Sequence, residues 1–554
     1  MNKRFARLLA VSVFPAVAAL AQPVISYTAI NAASYRAAGM PGTGIAQGSI
    51  FTIFGTGIGP ATGLNATTLP LQTTLGDTSV AVTVAGSQVA AVMLYAGAYQ
   101  INALLPSNTP VGAGTFTVTY NGQTSSPEAI QVVSSSFGIF TVNQAGSGQA
   151  IATDVGYKTN SIVHTYHPGD YGVLWGTGLG AISGSDAGVP PQGNVPGNIT
   201  VYVGDTAASV IYHGRSGFAG LDQINFQIPA GVTGCYVPVA VQAGSALGNI
   251  GNFATIAVSD SGDICTDSIM GQDLVSQLAA GQTVDFGYIR LESWVANLIA
   301  GTGGASGGED FGIASFSEFT PATAGYAQYG VSSGYCVAVD CSLTCGGANA
   351  IGFSLSDSSP AQLDAGSLSV QYSPTIALTQ AQYQKGFYDA YLSGNGRYLW
   401  SDFTYPVVGT GGSVVGPFTA TDIGSAPAAT LTGIASAQNI PISSDLNVQW
   451  SIGNPSSQNG QLTITAESYN QTATTYQNEF VQCSAPVAAQ KFTIPGWVMS
   501  SLPPSGSFSS EGFTIPEGFI QVGQYNKPTS FTATGLTGGV ITDIFYNGIG
   551  VYFQ

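Results

Sequence analysis

Positive charge is nearly missing from this sequence. Lysine and arginine together number 11 in 554 residues, against 28 aspartates and glutamates, for a formal net charge of −17. Such a surface repels phosphate backbones and anionic lipid, so no nucleic-acid partner is expected. Charge of either sign is scarce. Charged residues make up 7% of the chain, where an average soluble protein has about 25%. Glycine and the uncharged polar residues must then supply the polar surface, which suits strands and tight turns better than helices. Histidine occurs only at His164, His167 and His213. All three lie in the first half, and no G-x-S-x-G elbow is followed by one, so a Ser–His–Asp triad has no basis here. The histidines are read as loop residues without a catalytic role. No uninterrupted apolar run long enough to span a bilayer follows residue 21.

What is present begins with an export signal. Lys3, Arg4 and Arg7 precede the apolar stretch Leu8 to Leu20, and Ala19-Leu20-Ala21 forms an A-x-A cleavage site. Residues 1–21 are therefore read as a signal peptide. Cleavage would remove 3 of the 11 basic residues and no acids, leaving 8 against 28, a net of −20. The expected compartment is the extracellular space or cell surface, with the periplasm as the other exported location. Export makes the six cysteines disulfide candidates. Cys235 and Cys265 fall in one module and are expected to pair. Cys336, Cys341, Cys345 and Cys483 allow three pairings. A metal knuckle at Cys336, Cys341 and Cys345 is the competing reading, but the C-x2-C spacing is missing and no histidine is near.

The chain repeats itself. Residues 49–59 read SIFTIFGTGIG and residues 170–180 read DYGVLWGTGLG. Downstream, Gln100-Ile101-Asn102 recurs as Gln223-Ile224-Asn225, each with a proline four residues past the Asn. The first motif is offset by 175 − 54 = 121 and the second by 223 − 100 = 123. Two motifs in one order at nearly one offset mark tandem copies. Alternating stretches within the copies predict strands. They are punctuated by turns at Ala85-Gly86 and Gly204-Asp205 and by a hairpin at Asn121-Gly122. The Phe54 and Trp175 turns are read as aromatic plugs of a core, followed by glycines. They are not phosphate loops, since no Lys-Ser/Thr and no helix follows. In each Gln-Ile-Asn the Ile is expected inward and the amides bonded to neighbouring loops.

These residues carry a resemblance. GSIFTIFGTGIGP, LPLQTTLGDTSVAV, MLYAGAYQINALLP, GTFTVTYNGQTSSPEAIQVV and then FGIF resemble the repeat module of secreted acidobacterial proteins. That module is related in pattern to IPT/TIG immunoglobulin-like domains. The likeness covers Pro23 to about Phe140 closely and the second copy, to about Val258, more loosely. The later LDAGSLSVQYSP, DLNVQWSIGN and KFTIPGW resemble the C-terminal region of the same proteins. The resemblance implies an immunoglobulin-like fold and an exported protein, and no particular activity.

The expected fold is thus all-β, with tandem immunoglobulin-like β-sandwich modules. The expected organisation is a signal peptide at 1–21, modules at 22–143 and 144–266, a β-rich module at 267–430 and a β-sandwich module at 431–554. Ile269 to Ala280 is the best helical candidate. Ile549, Val551 and Phe553 alternate at the end of the chain, predicting a closing sandwich strand rather than a membrane barrel strand.

No catalytic residue, cofactor-binding residue or metal ligand is assigned. Glu309-Asp310 is the most conspicuous carboxylate pair, but neighbours on a strand point to opposite faces. Asp260, Asp263 and Asp267 cluster at a module junction and form a weak Ca²⁺ candidate without EF-hand spacing. The expected function is a secreted or cell-surface structural or interaction protein, not an enzyme. Its expected partner is a protein or polysaccharide of the cell surface or matrix. The alternatives are an extracellular carbohydrate-binding protein, suggested by 26 Tyr and 5 Trp, and a polysaccharide-acting hydrolase. An aromatic platform would favour the first alternative. Two carboxylates converging in a cleft would favour the second.

Overall fold

The structure is a computed structural model. It describes residues 22–297, 306–343, 359–381, 386–393, 398–400, 403–422, 429–452, 460–471, 476–510 and 513–554. The expected signal peptide and Cys345 lie outside the described residues.

Alternation decides the N-terminal architecture. Thr78–Val84 buries every second residue, so Val80, Val82 and Val84 all point one way. It pairs with Gly112–Tyr120, which adds Phe116 and Val118 to the same face and in turn pairs with Glu128–Val133. The facing sheet is built on Ile50–Thr56 and Gln100–Leu104, whose Phe51, Ile53, Ile101 and Ala103 are fully buried. These two inner faces form one core, which makes the first module a β-sandwich. Its hairpin at Asn121-Gly122 has φ of 49° and 76°, both positive, as a two-residue type I′ turn requires. Ala85-Gly86 repeats that geometry at 49° and 78°.

The second module folds alike from a different strand economy. Tyr171–Thr177 pairs with Asp222–Gln227. Thr206–Arg215 pairs with Asp222–Gln227 over one part of its length and with Ile199–Val203 over another, with a bulge between Val210 and Tyr212. One bent strand thus serves both layers. Leu174, Ile224 and Phe226 from one layer pack against Val201, Val239 and Ile256 from the other.

The repeat is visible in the ladders. Gln100 pairs with Phe54 and Ile101 with Ile53; Gln223 pairs with Trp175 and Ile224 with Leu174. The two sequence motifs are therefore adjacent strands held in one register in both copies. The small difference in offset is absorbed between them.

Two expectations about these motifs are corrected. Phe54 and Trp175 are half-buried on the outer face, because Ile53 and Leu174 beside them take the inward positions. Trp175 lies 6.3 Å from the exposed Tyr157 ring instead. The Gln-Ile-Asn isoleucines are inward, as expected. Their amides bond along the strand rather than to loops: Gln100 Nε2 donates to Asn102 Oδ1 at 3.0 Å and Gln223 Nε2 to Asn225 Oδ1 at 2.7 Å.

The remaining described strands are dominated by a 15-stranded sheet. Val284–Asn297 pairs antiparallel with Ser306–Phe319 and parallel with Gly538–Phe553. Gly538–Phe553 also pairs with Gly518–Tyr525, which continues through Gln461–Gln471 and Tyr476–Pro486 to Cys336–Asp340. The last strand of the chain is thus central, not a closing edge. The expected division at 430 does not coincide with a break in this sheet. Residues on both sides of it share one ladder, because the final strand returns beside the first. One face of the sheet carries two apolar clusters, with the buried Asp543 set between Ile541 and Phe545 on that face. Leu462, Ile464, Val481 and Val522 pack under Trp450 and Val448, while Ile289, Leu291 and Phe316 pack under Val370, Val407 and Phe418. The helix Gly271–Ala279 lies before the sheet and buries Val275 and Leu278.

The scarce arginines join these units. Arg215 is 1% exposed and ion-paired with the fully buried Asp222; it donates to the carbonyls of Gly180 at 2.7 Å and of Gly48, in the first module, at 2.9 Å. Asp222 also accepts the backbone N–H groups of Gly178 and Leu179 at 2.7 and 2.8 Å. Gly178 has φ of +116°, and a Cβ there would sit 2.0 Å from the Ser136 carbonyl. Arg36 of the first module donates to Ile250 O at 3.1 Å in the second, and to Glu479 and Ser501 O in the large sheet's unit. A buried charge persists only when paired in this way.

Candidate functional site

The second face of the large sheet is the unusual one. In Val284–Asn297 the apolar Ile289 and Leu291 alternate with Tyr288, Arg290, Glu292 and Trp294. A strand must present that second set on the face opposite the core. Gln461–Gln471 does the same, with Ile464 and Ala466 inward and Thr465, Glu467 and Tyr469 outward. Tyr525 and Tyr546 come from the two strands between them.

These side chains line a cavity of about 800 Å³, within the range that small-molecule sites occupy. Ten of its thirty lining residues are aromatic, a third, where aromatics make up 10% of the chain. Trp294 and Tyr546 are stacked with ring centroids 4.2 Å apart, and Tyr288 lies 5.0 Å from Tyr329. Trp294 Nε1 donates to Glu292 Oε2 at 3.0 Å, and Arg290 Nε meets Glu292 Oε1 at 2.5 Å. The only described cation of the cavity is thereby neutralised.

Burial pushes the hydroxyls of Tyr288 and Tyr546 well above the usual phenol range. It raises Tyr525 too, where Arg290 opposes the effect and Glu292 adds to it. Burial also raises Glu467, against hydrogen bonds from Tyr469 and Asn478 that lower it. Beside the Arg290–Glu292 pair and Glu467, the cavity offers phenols, ring faces and amides.

Glu292 and Glu467 do not form a cleaving pair. Glu292 is level with Ile544 and Tyr525, and Glu467 with Phe519, so they stand three strands and six register positions apart. Strand spacing and rise place their Cα atoms roughly 25 Å apart. Glycosidic carboxylates work at about 5–10 Å.

Of the residues singled out in the sequence, Cys341 lines this cavity and the other described ones lie elsewhere. Cys235 pairs with Cys265 as expected, and Cys336 pairs with Cys483, its cross-strand neighbour. Cys341 is also disulfide-bonded. Asp260 and Asp263 are exposed, while Asp267 is occupied. Its Oδ1 accepts Ile269 and Met270 N–H groups at 2.7 Å each, and its Oδ2 accepts the Tyr236 hydroxyl. The three are not drawn together: among the described residues no group of three or more His, Cys, Asp or Glu could hold a metal. Glu309 is exposed and Asp310 fully buried, accepting Tyr398 and Leu399 N–H groups at 2.5 and 2.9 Å. His164 and His167 contact Asp154 and Asp170 at 3.1 Å each. The cavity residues were passed over in the sequence. The signal that could have found them is the alternation of Tyr, Arg, Glu and Trp against Ile and Leu over 288–294.

No protein-family model matches the sequence, and no curated protein is similar to it. Solved structures with some likeness include the plexin A4 extracellular region, at 10% identity over 86% of this chain and 30% of that one, with a TM-score of 0.15. Domains 5–6 of the S-layer protein SbsC match at 14% identity over 44% of this chain and 100% of that one, TM-score 0.15. Sidekick-1 immunoglobulin domains 1–4 match at 9% identity over 95% and 99%, TM-score 0.12. At such scores the superpositions carry no argument, and the chain spans under a third of the plexin region. The all-β, tandem immunoglobulin-like architecture stands on the ladders and cores above. Among the described residues no helix is long and apolar enough to cross a membrane.

Proposed function

We propose that this chain is a secreted or cell-surface interaction protein whose C-terminal sheet holds the binding site. Residues 1–21 act as the export signal. Modules 22–143 and 144–266, of IPT/TIG-like type and similar to those of secreted acidobacterial proteins, serve as the scaffold. The partner is a component of the cell surface or matrix. The observation that carries this proposal is the aromatic-lined cavity on the open face of the sheet. A sheet face with no structural task would be covered by a second layer or carry solvated charges. This one gathers rings and amides around a hollow. The disulfides at Cys235–Cys265 and Cys336–Cys483 support an oxidising compartment. Arg36 and Arg215, which tie the units together, support a stiff array rather than a flexible string.

The test is retention of the purified mature protein on envelopes of the parent cell, beside a Ser315→Trp variant. Ser315 lines the cavity beside its cross-strand neighbour Tyr288, and an indole there obstructs that end. Retention of the parent protein and its loss in the variant is expected. Equal retention of both would remove the cavity from the account, and no retention of either would remove the interaction role.

A further inference from the structure

We propose that the ligand of this cavity is a neutral oligosaccharide that stacks on Trp294, whose ring is backed by Tyr546. The inference rests on the reading of the cavity as the binding site and adds the chemical class of what binds.

Four observations select that class. The first is aromatic content: a third of the lining is aromatic, and the half-buried Trp294 ring is backed by the buried Tyr546 ring 4.2 Å away. Ring faces attract the C–H side of a pyranose, and tyrosine adds a hydroxyl at its rim. The second is the kind of polar group. Gln328, Gln362, Asn478 and Gln482 supply amides, and Ser315 and Ser317 supply hydroxyls. Amides both donate and accept, which suits a ligand whose every hydroxyl does the same.

The third observation is charge. Arg290 is held by Glu292, so no free described cation remains to bind a uronate, sulfate or phosphate. The net charge of −17 repels a polyanion before contact. A cationic ligand would also find the rings attractive. However, the Glu292 carboxylate is spent on Arg290 and Trp294, and Glu467 is held by Tyr469 and Asn478. The fourth is length. Tyr288, Arg290, Glu292 and Trp294 all line the cavity from one strand. Six residue steps of a strand cover about 20 Å, which favours a chain of sugars over a single ring.

The experiment is isothermal titration of the disulfide-intact protein at low ionic strength. The probes are linear neutral hexaoses of glucose, mannose, galactose and xylose in α and β linkages, hexagalacturonate, and a trimethylammonium compound. At least one neutral hexaose is expected to bind with a Kd below about 1 mM. Trp294→Ala is expected to weaken it at least tenfold, and Ser315→Trp, which obstructs the Tyr288 end of a ligand spanning the strand, to weaken it as well. Circular dichroism and melting of each variant show whether it is folded. Ser315→Trp stands in for Trp294→Ala should the latter unfold.

Failure of every neutral hexaose overturns the inference. So does binding of hexagalacturonate or the ammonium probe alone, or neutral binding that Ser315→Trp leaves intact. Envelope retention that depends on the open cavity, without hexaose binding, would leave the interaction role standing and sink only the ligand class. Envelope retention unaffected by Ser315→Trp would remove the cavity from the proposed role, and no retention of either protein would sink the role itself.

Discussion

The two halves of the molecule solve one packing problem in opposite ways. In residues 22–258 each core is closed locally, between strands that lie within one repeat of each other, and the repeat unit carries its own register. In residues 284–554 the central ladder joins Val284–Asn297 to Gly538–Phe553, strands from the two ends of the region. A local sandwich uses both sheet faces on one core plus solvent. The long sheet puts two apolar clusters on one face and leaves the other free to be polar and aromatic. The binding face is a consequence of that second solution. Long-range closure is entropically dearer, and the half that uses it has the disulfide of larger span.

That difference sets the largest expected effect. In the chain-entropy model, removing Cys336–Cys483, which spans 147 residues, costs about 5 kcal/mol. Removing Cys235–Cys265, which spans 30, costs roughly 3.5 kcal/mol. Denaturant melts of the two double Cys→Ala variants should rank in that order. The reverse order would mean that the long sheet is closed by its apolar face alone.

Next comes the inter-module joint. Arg215→Met leaves Asp222 buried without its partner and should cost about 3–5 kcal/mol. Calorimetry should show the loss in the N-terminal transition and leave the C-terminal one in place. A uniform shift would mean that the halves melt as one unit.

A smaller effect depends on pH and belongs to the C-terminal half. Asp543 is pushed up to about 8 by burial and by Asp422 beside it. A carboxyl raised in the folded state stabilises at pH values below its unfolded pKa. That stability is lost as pH rises through the folded value. Stability of the C-terminal half should therefore fall from about pH 4 to about pH 8. Asp543→Asn should flatten that slope in a series of thermal melts. A slope unchanged in the variant would assign the titration to Glu479, which burial raises to about 7 against the opposing pull of Arg36.

The smallest effect tests the local half. Gly122→Ala places a Cβ at φ of +76° in a turn with open space around it. Strain alone then acts, at about 1 kcal/mol.

How much of this was legible in the sequence follows the same division. The repeat motifs, the Asn121-Gly122 hairpin and the inward Ile101 and Ile224 could be read because their partners lie close in sequence or recur. Cys235–Cys265 was legible for the same reason, whereas the Cys336–Cys483 pairing needed a ladder between distant strands. Phe54 and Trp175 were misplaced because size suggested core, while strand parity, fixed by Ile53 and Leu174, put them outside. Ile549, Val551 and Phe553 read locally as a closing strand, whereas the ladder makes Gly538–Phe553 central. Nothing local to it says that Val284–Asn297 will lie alongside. The cavity was half legible. The alternation over 288–294 gives the face of each residue, but not which other strands complete the hollow.

The most direct test of the account is hydroxyl-radical footprinting of the mature protein with and without parent-cell envelopes. Protection is predicted at Trp294, Tyr469 and Tyr525, which line the cavity, with no change at Tyr99, Tyr157 and Phe218, which are about 70% exposed on the N-terminal modules. Protection of the N-terminal rings with the cavity residues unchanged would contradict it.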